Sequence, residues 1–135
     1  MAAPLVVKAF LVCDYVIHEQ GTNKKSLIGV FHHIGAESFP CRHGQLAIYA
    51  NITNALGEYV FRLSLASLRD GNEIGRGETP SLKIQDRLQT AELAFRLQNL
   101  VFPEAGKYEF QLFANEGLIA QKEIVVGATG EQTGR

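Results

Sequence analysis

"FPEAGKYEFQLFANEGLIAQKEIVV", from Phe102 to Val126, reads as a corner, a strand and a returning strand. Pro103 ends the preceding run, because its ring fixes φ and removes a backbone donor. Gly106 relieves the backbone at the corner. Tyr108, Phe110 and Leu112 then share one face, while Lys107, Glu109 and Gln111 share the other. Asn115–Gly117 supplies a hairpin turn, and Leu118–Val126 returns as the partner strand.

The same two-residue period extends upstream. In Gln45–Thr53, Leu46, Ile48, Ala50 and Ile52 lie on one side; in Glu58–Ala66, Tyr59, Phe61, Leu63 and Leu65 do so. Successive side chains of a strand point to opposite faces, so such alternation predicts half-buried antiparallel strands. Asn54–Gly57 and Asp70-Gly71 have turn composition. Leu5–Ile17 and Ser26–Phe39 form a further hairpin with apolar residues on both faces, which predicts deeper cover. Glu73–Glu78 is weakened by Gly75 and Gly77 and reads as an edge or a bulge. Thr90–Leu100 is rich in helix formers. Its alternation of Ala91, Leu93, Phe95 and Leu97 with mostly polar neighbours predicts a strand instead. Roughly eight strands joined by short turns predict an all-β antiparallel sandwich. Residues 1–126 are expected to form one domain, and 127–135 a flexible tail with no apolar anchor.

The corner resembles the end of an immunoglobulin-like domain. In that resemblance Phe95, Leu97 and Leu100 match strand E, "EAGKYEF" matches the corner, and Tyr108 is the corner tyrosine. Phe110 stands where the second cysteine of the family would be. The structural residues implied are Gly106, Tyr108 and Phe110, with the tyrosine ring buried and its hydroxyl bonded upstream. The chain has no Trp, and Cys13 and Cys41 do not fall where an inter-sheet disulfide would need them. The resemblance covers Gly44 to Val126 and leaves the N-terminal hairpin as an addition. The layout "LVCDYV", "LIGVFHHIGAESFP" and "FPEAGKYEFQL" also resembles a bacterial family of small proteins known only as a domain of unknown function, which implies no activity.

Composition narrows the function classes. The 135 residues are 46% hydrophobic and 20% charged, with net charge −1. These are globular values for a single domain. The 13 Lys and Arg are scattered, with no basic stripe to displace counterions from phosphate, so nucleic acid is not an expected partner. No run is long and apolar enough to span a bilayer. Lys8 and Asp14 interrupt the apolar N-terminus, which therefore does not read as an export signal. A cytoplasmic protein with reduced thiols is expected.

Residues that could carry chemistry are few. His18, His32, His33, Cys13, Cys41 and His43 are the metal-ligating types, with Cys41, His43 and His33 the best of them. Cys41 and His43, two apart, would face the same way. Adjacent His32 and His33 would point to opposite faces and could not easily share an ion. No cofactor is expected. No nucleophile–His–carboxylate arrangement or glycine-rich phosphate loop is present, so no catalytic residue is assigned and the chain is not read as an enzyme. Surface remains. Val60 and Phe113 would point outward from neighbouring strands as a docking patch, and uncovered sheet edges could accept a strand.

The expectation is a non-catalytic binding or assembly module making protein–protein contacts or self-associating. The alternative is a small-ligand or metal-binding protein using the His/Cys cluster. A structural subunit of a larger cell-envelope or phage-related assembly fits the same sequence features.

Overall fold

The computed structural model describes residues 5–128. They form eleven β-strands, and no helix occurs among the described residues. In chain order these are β1 (Val6–His18), β2 (Lys25–Val30), β3 (His33–Ala36), β4 (Cys41–Thr53), β5 (Gly57–Tyr59), β6 (Phe61–Ser67), β7 (Glu73–Glu78), β8 (Leu82–Ile84), β9 (Ala91–Phe102), β10 (Gly106–Ala114) and β11 (Gly117–Ala128). One sheet has the order β2-β1-β4-β9, and the other β3-β11-β10-β6-β7. A short ribbon pairs β5 with β8.

Alternation fixes the register. On β4, Leu46, Ile48 and Ala50 lie opposite Leu97, Phe95 and Leu93 of β9. On β10, Phe110 and Leu112 lie opposite Leu65 and Leu63 of β6. Directly opposed residues share a face, and all of these side chains join one buried cluster between the sheets. Burying each such side chain stabilises by about 2 kcal/mol before conformational entropy is subtracted. Asn99 has φ 56°, and beyond it β9 turns Leu100 and Phe102 inward instead of continuing the odd-numbered series.

Tyr108 pins the corner. Its ring is 1% exposed and meets Phe102 edge-on, with centroids 4.9 Å apart and planes at 83°. Its hydroxyl donates to the Glu104 carbonyl at 2.6 Å. Burial pushes the phenol pKa upward, so the donor keeps its proton at neutral pH. Gly106 has φ 148°, a conformation that side chains disfavour.

Thr90–Leu100 is strand, as its alternation implies. Other expectations need correction. Ser26–Phe39 is not one arm of a hairpin: it divides at Phe31-His32 into β2, in the first sheet, and β3, in the second. β3 pairs parallel with β11, Ile34 opposite Val126. The early segment is thus built into both sheets. Glu58–Ala66 likewise breaks at Val60, so β4 and β6 lie in different sheets, joined through Asn54–Gly57 and the short β5. β7 is an edge strand, and its glycines permit close approach of the other sheet. A β-carbon on Gly75 would lie 2.7 Å from Leu100, and one on Gly77 3.1 Å from Phe95. Gly127 and Ala128, the first residues of the expected tail, pair with Gly35 and Ala36. Residues 129–135 lie outside the described residues.

Tyr108→Phe removes one hydrogen bond while keeping the ring. Equilibrium urea unfolding should show a loss of about 1–2 kcal/mol, with an unchanged m-value. A loss within error would show that the hydroxyl does not pin the corner.

Candidate functional site

The two sheets differ on their outer faces. The five-stranded sheet presents Glu109, Gln111, Gln121 and Glu123 in directly opposed pairs. Gln111 and Gln121 both donate to the Glu109 carboxylate, at 2.8 and 3.3 Å. The polar ladder ends at Phe113, which lies opposite Arg62 of β6 and Leu118 of β11. The Arg62 guanidinium sits 4.1 Å above the Phe113 ring and reaches Glu116 at 3.5 Å. Phe113 is half-buried, and so is Val60 at the β5–β6 junction, where its N–H donates to the Asn115 side chain at 2.8 Å. The exposed apolar residue at this end is Leu118, not Val60 or Phe113.

The histidines and cysteines are dispersed. Cys13 is buried in β1, its thiol donating to the Tyr15 carbonyl at 3.3 Å. Burial, with Asp14 adding to it, pushes that thiol pKa upward, which makes a thiolate less available. His18 is at the β1–β2 tip, bonded to Asn23, and His32 is exposed. Cys41 packs against the core. His33 and His43 do meet, on a depression of about 330 Å³ that Asp14, Val30, Phe31 and Ile34 also line. Phe31 and His43 have ring centroids 6.1 Å apart. His33 Nδ1 and His43 Nε2 are closed off from solvent and make no hydrogen bond. Among the described residues, no three His, Cys, Asp or Glu side chains converge to hold a metal ion. Cys41, His43 and His33 do not form the cluster that their proximity in sequence suggested.

The four-stranded sheet behaves differently. Ala47 and Tyr49 alternate with the core-facing residues of β4 and should face outward, yet they are only 5% and 8% exposed. The far half of the β1–β2 hairpin covers them. Val16 and the edge of Tyr15 line a small cavity with Gln45, Ala47, Ala94, Phe95 and Arg96. Lys25 Nζ reaches Glu92 Oε1 of β9 at 2.9 Å. The other Glu92 oxygen accepts from the Tyr49 hydroxyl, to which Asn51 donates at 3.2 Å. The ribbon therefore twists so that the half-buried face carrying Val16, Leu27 and Lys25 turns toward the sheet.

The opposite face of the ribbon looks into solvent. It carries Tyr15, Ile17, Ile28 and Val30, exposed by 55%, 51%, 46% and 49%. Tyr15 lies directly opposite Ile28, Ile17 opposite Ser26, and Val30 opposite Cys13. Four large apolar side chains on one face of one hairpin form a contiguous patch, whereas scattered single residues would be ordinary. The sequence reading missed this face because apolar residues on both sides of a hairpin suggest cover on both. The readable signal was the interruption of β2 by Ser26 and Gly29. Gly29 has φ 72°, and a β-carbon there would run into the Asp14 carboxylate.

Two sheets packed face to face, an early strand running parallel to the last, and a corner tyrosine define an immunoglobulin-like β-sandwich. The chain belongs to DUF6941, a family of unknown function whose profile matches residues 8–127. No curated protein matches it. Among solved structures it is similar to a glycosyl hydrolase family 2 member from Bacteroides cellulosilyticus, with TM-score 0.52 and 12% identity over 93% of this chain. It also aligns with a β-glucosidase from Kluyveromyces marxianus at TM-score 0.44 and 14% identity, over 70% of this chain. An immunoglobulin-like protein from Pseudomonas aeruginosa aligns at TM-score 0.44 and 16% identity, over 92% of this chain and 97% of its own. The chain spans only 16% and 14% of the hydrolase and the β-glucosidase. At these identities the likeness concerns fold alone, and neither fold nor family indicates a reaction.

The Glu92 contacts make the hairpin's attachment pH-dependent. The Tyr49 hydrogen bond, followed by that from Lys25, holds the Glu92 carboxyl below the ordinary glutamate range. A carboxyl depressed in the folded state stabilises fully above its unfolded pKa, and that contribution is lost as pH falls through the folded value. Methyl resonances of Val16 and Leu27 should therefore shift on acidification, with a midpoint below the usual ~4.3 of glutamate. The shift should be absent in Glu92→Gln. An identical titration in the variant would show that Glu92 does not hold the hairpin.

Proposed function

We propose that this protein is a non-catalytic binding or assembly module that acts through protein–protein contacts made by the outer face of the β1–β2 hairpin. One observation carries the reading: Tyr15, Ile17, Ile28 and Val30 stay exposed on a hairpin whose other face is fastened to the sheet. Apolar anchors on a rigid support lose little conformational entropy on docking, and aromatic residues are favoured at the centres of interfaces. The Val60–Phe113 end of the other sheet is the lesser surface, because Arg62 already occupies one face of the ring. Unpaired Cys13 and Cys41 fit a reducing compartment such as the cytoplasm.

The double variant Ile17→Lys/Ile28→Lys should fold with a stability within about 1 kcal/mol of wild type, because both side chains are already half in water. It should lose its protein contacts, read as affinity recovery from the native host against wild-type bait. Recovery of the same partners at the same yield would refute this face as the contact surface.

A further inference from the structure

We propose that the free edge of β9 pairs antiparallel with β9 of a second copy of this chain, about a two-fold axis at Ala94, joining two four-stranded sheets into one. This surface is separate from the outer face of the β1–β2 hairpin. The two main sheets have four edges, β2, β9, β3 and β7. An exposed edge offers unpaired N–H and C=O groups to another strand unless kinks, lysines or brevity blunt it. β2 is kinked at Gly29, φ 72°, and Lys24 and Lys25 stand at its start. β3 has only four residues. β7 carries Gly75 and Gly77, which hold it close against side chains of β9 in the opposite sheet. β9 has none of these devices over residues 91–98. It runs for twelve residues, and its one positive φ is at Asn99. Among the described residues its backbone bonds only to β4.

The outward side chains decide which strand fits that edge. Glu92, Ala94, Arg96 and Gln98 are the exposed positions of this run. In antiparallel pairing about Ala94, Glu92 of each copy lies directly opposite Arg96 of the other. Each residue i then meets j as j meets i, which a two-fold contact requires. Opposite charges directly opposed stabilise a strand pair, whereas like charges destabilise it. The axis itself falls on alanine, so no charged side chain meets its own copy. Sliding the register by two residues sets each charge against a neutral residue. Sliding it by four sets Glu92 against Glu92, or Arg96 against Arg96.

The charges are available for this pairing. Arg96 borders the cavity beneath the ribbon and has no ion pair among the described residues. Glu92 already accepts from Lys25 and Tyr49, but a carboxylate offers about four acceptor sites and can take a guanidinium as well. On the inner face the same register sets Leu93 of each copy opposite Phe95 of the other, apolar against apolar. A net charge of −1 puts little long-range repulsion between copies.

Sedimentation equilibrium of the full chain, from micromolar to millimolar, should fit a monomer–dimer scheme. Arg96→Glu should weaken the dimer at least tenfold with little change in thermal midpoint, because this side chain is exposed and unpaired. Glu92→Arg should weaken it too, and mixing the two variants should restore a dimer containing one copy of each. Under mild oxidation Ala94→Cys should cross-link to its own copy. Gln98→Cys should not, because the two cysteines would stand roughly 27 Å apart. Should Glu92→Arg fail to fold, the cysteine pair decides alone. A wild type that stays monomeric, a dimer untouched by Arg96→Glu, or two folded charge variants that do not complement each other overturns the proposal. Loss of the dimer in Ile17→Lys/Ile28→Lys would move the contact to the hairpin, and that also overturns it.

Discussion

Apolar contact between two sheets, with no covalent link, is the constraint on which the structure depends. Leu46, Ile48, Ala50 and Ile52 of β4 share one buried cluster with Phe61, Leu63 and Leu65 of β6 and Phe110 and Leu112 of β10. Both cysteines are free, so packing must supply what a disulfide supplies in many secreted sandwiches. Tyr108 adds direction. Buried hydrophobic area alone would allow the sheets to slide, whereas a hydroxyl bonded to a backbone carbonyl four residues upstream fixes where β10 begins. Once β10 is placed, β11 follows through a two-residue turn at Asn115 and Glu116, both at positive φ.

Placement of the core leaves two outer faces with different chemistry. The five-stranded sheet meets water with glutamates and glutamines that bond one another along and across the strands. The four-stranded sheet carries alanines at positions 47 and 94 and a tyrosine at 49, too apolar to face water alone. The β1–β2 ribbon covers part of it and is tied down at Glu92. The cover has its own outer face, and apolar character excluded from the sheet surface reappears there, at Tyr15, Ile17, Ile28 and Val30. Function is sought at that face because four exposed large apolar side chains fall together on one hairpin there. The two histidines that meet at the Asp14 depression turn their unbonded nitrogens away from solvent.

Much of this was legible before any coordinates. Period-two alternation in β4, β6, β9 and β10 reports directly which side chains turn inward, because a strand has only two faces. For the same reason Thr90–Leu100 could be read as strand against its helix propensity. The corner tyrosine was legible because proline, glycine and tyrosine at that spacing have few other uses. Partition of strands between sheets was not legible. A break such as Phe31-His32 or Val60 costs only one or two residues of pattern, and these look like ordinary members of the run. The covering role of the hairpin was hidden for a related reason: covering and exposed faces of a ribbon can both be apolar. His33 and His43 line one depression, but alternation along a strand does not reveal which residues of distant strands come together.

Native-state hydrogen exchange, resolved by residue, tests the account most directly. Amides of β4, β6, β9 and β10 should exchange only through global unfolding. Those of the β1–β2 ribbon should be slower than in an unfolded chain by orders of magnitude, yet faster than the core, as a unit that opens separately. Ribbon amides exchanging at unfolded-chain rates, with the core protected, would mean that the exposed apolar face is not preformed, and the functional reading built on it would be wrong.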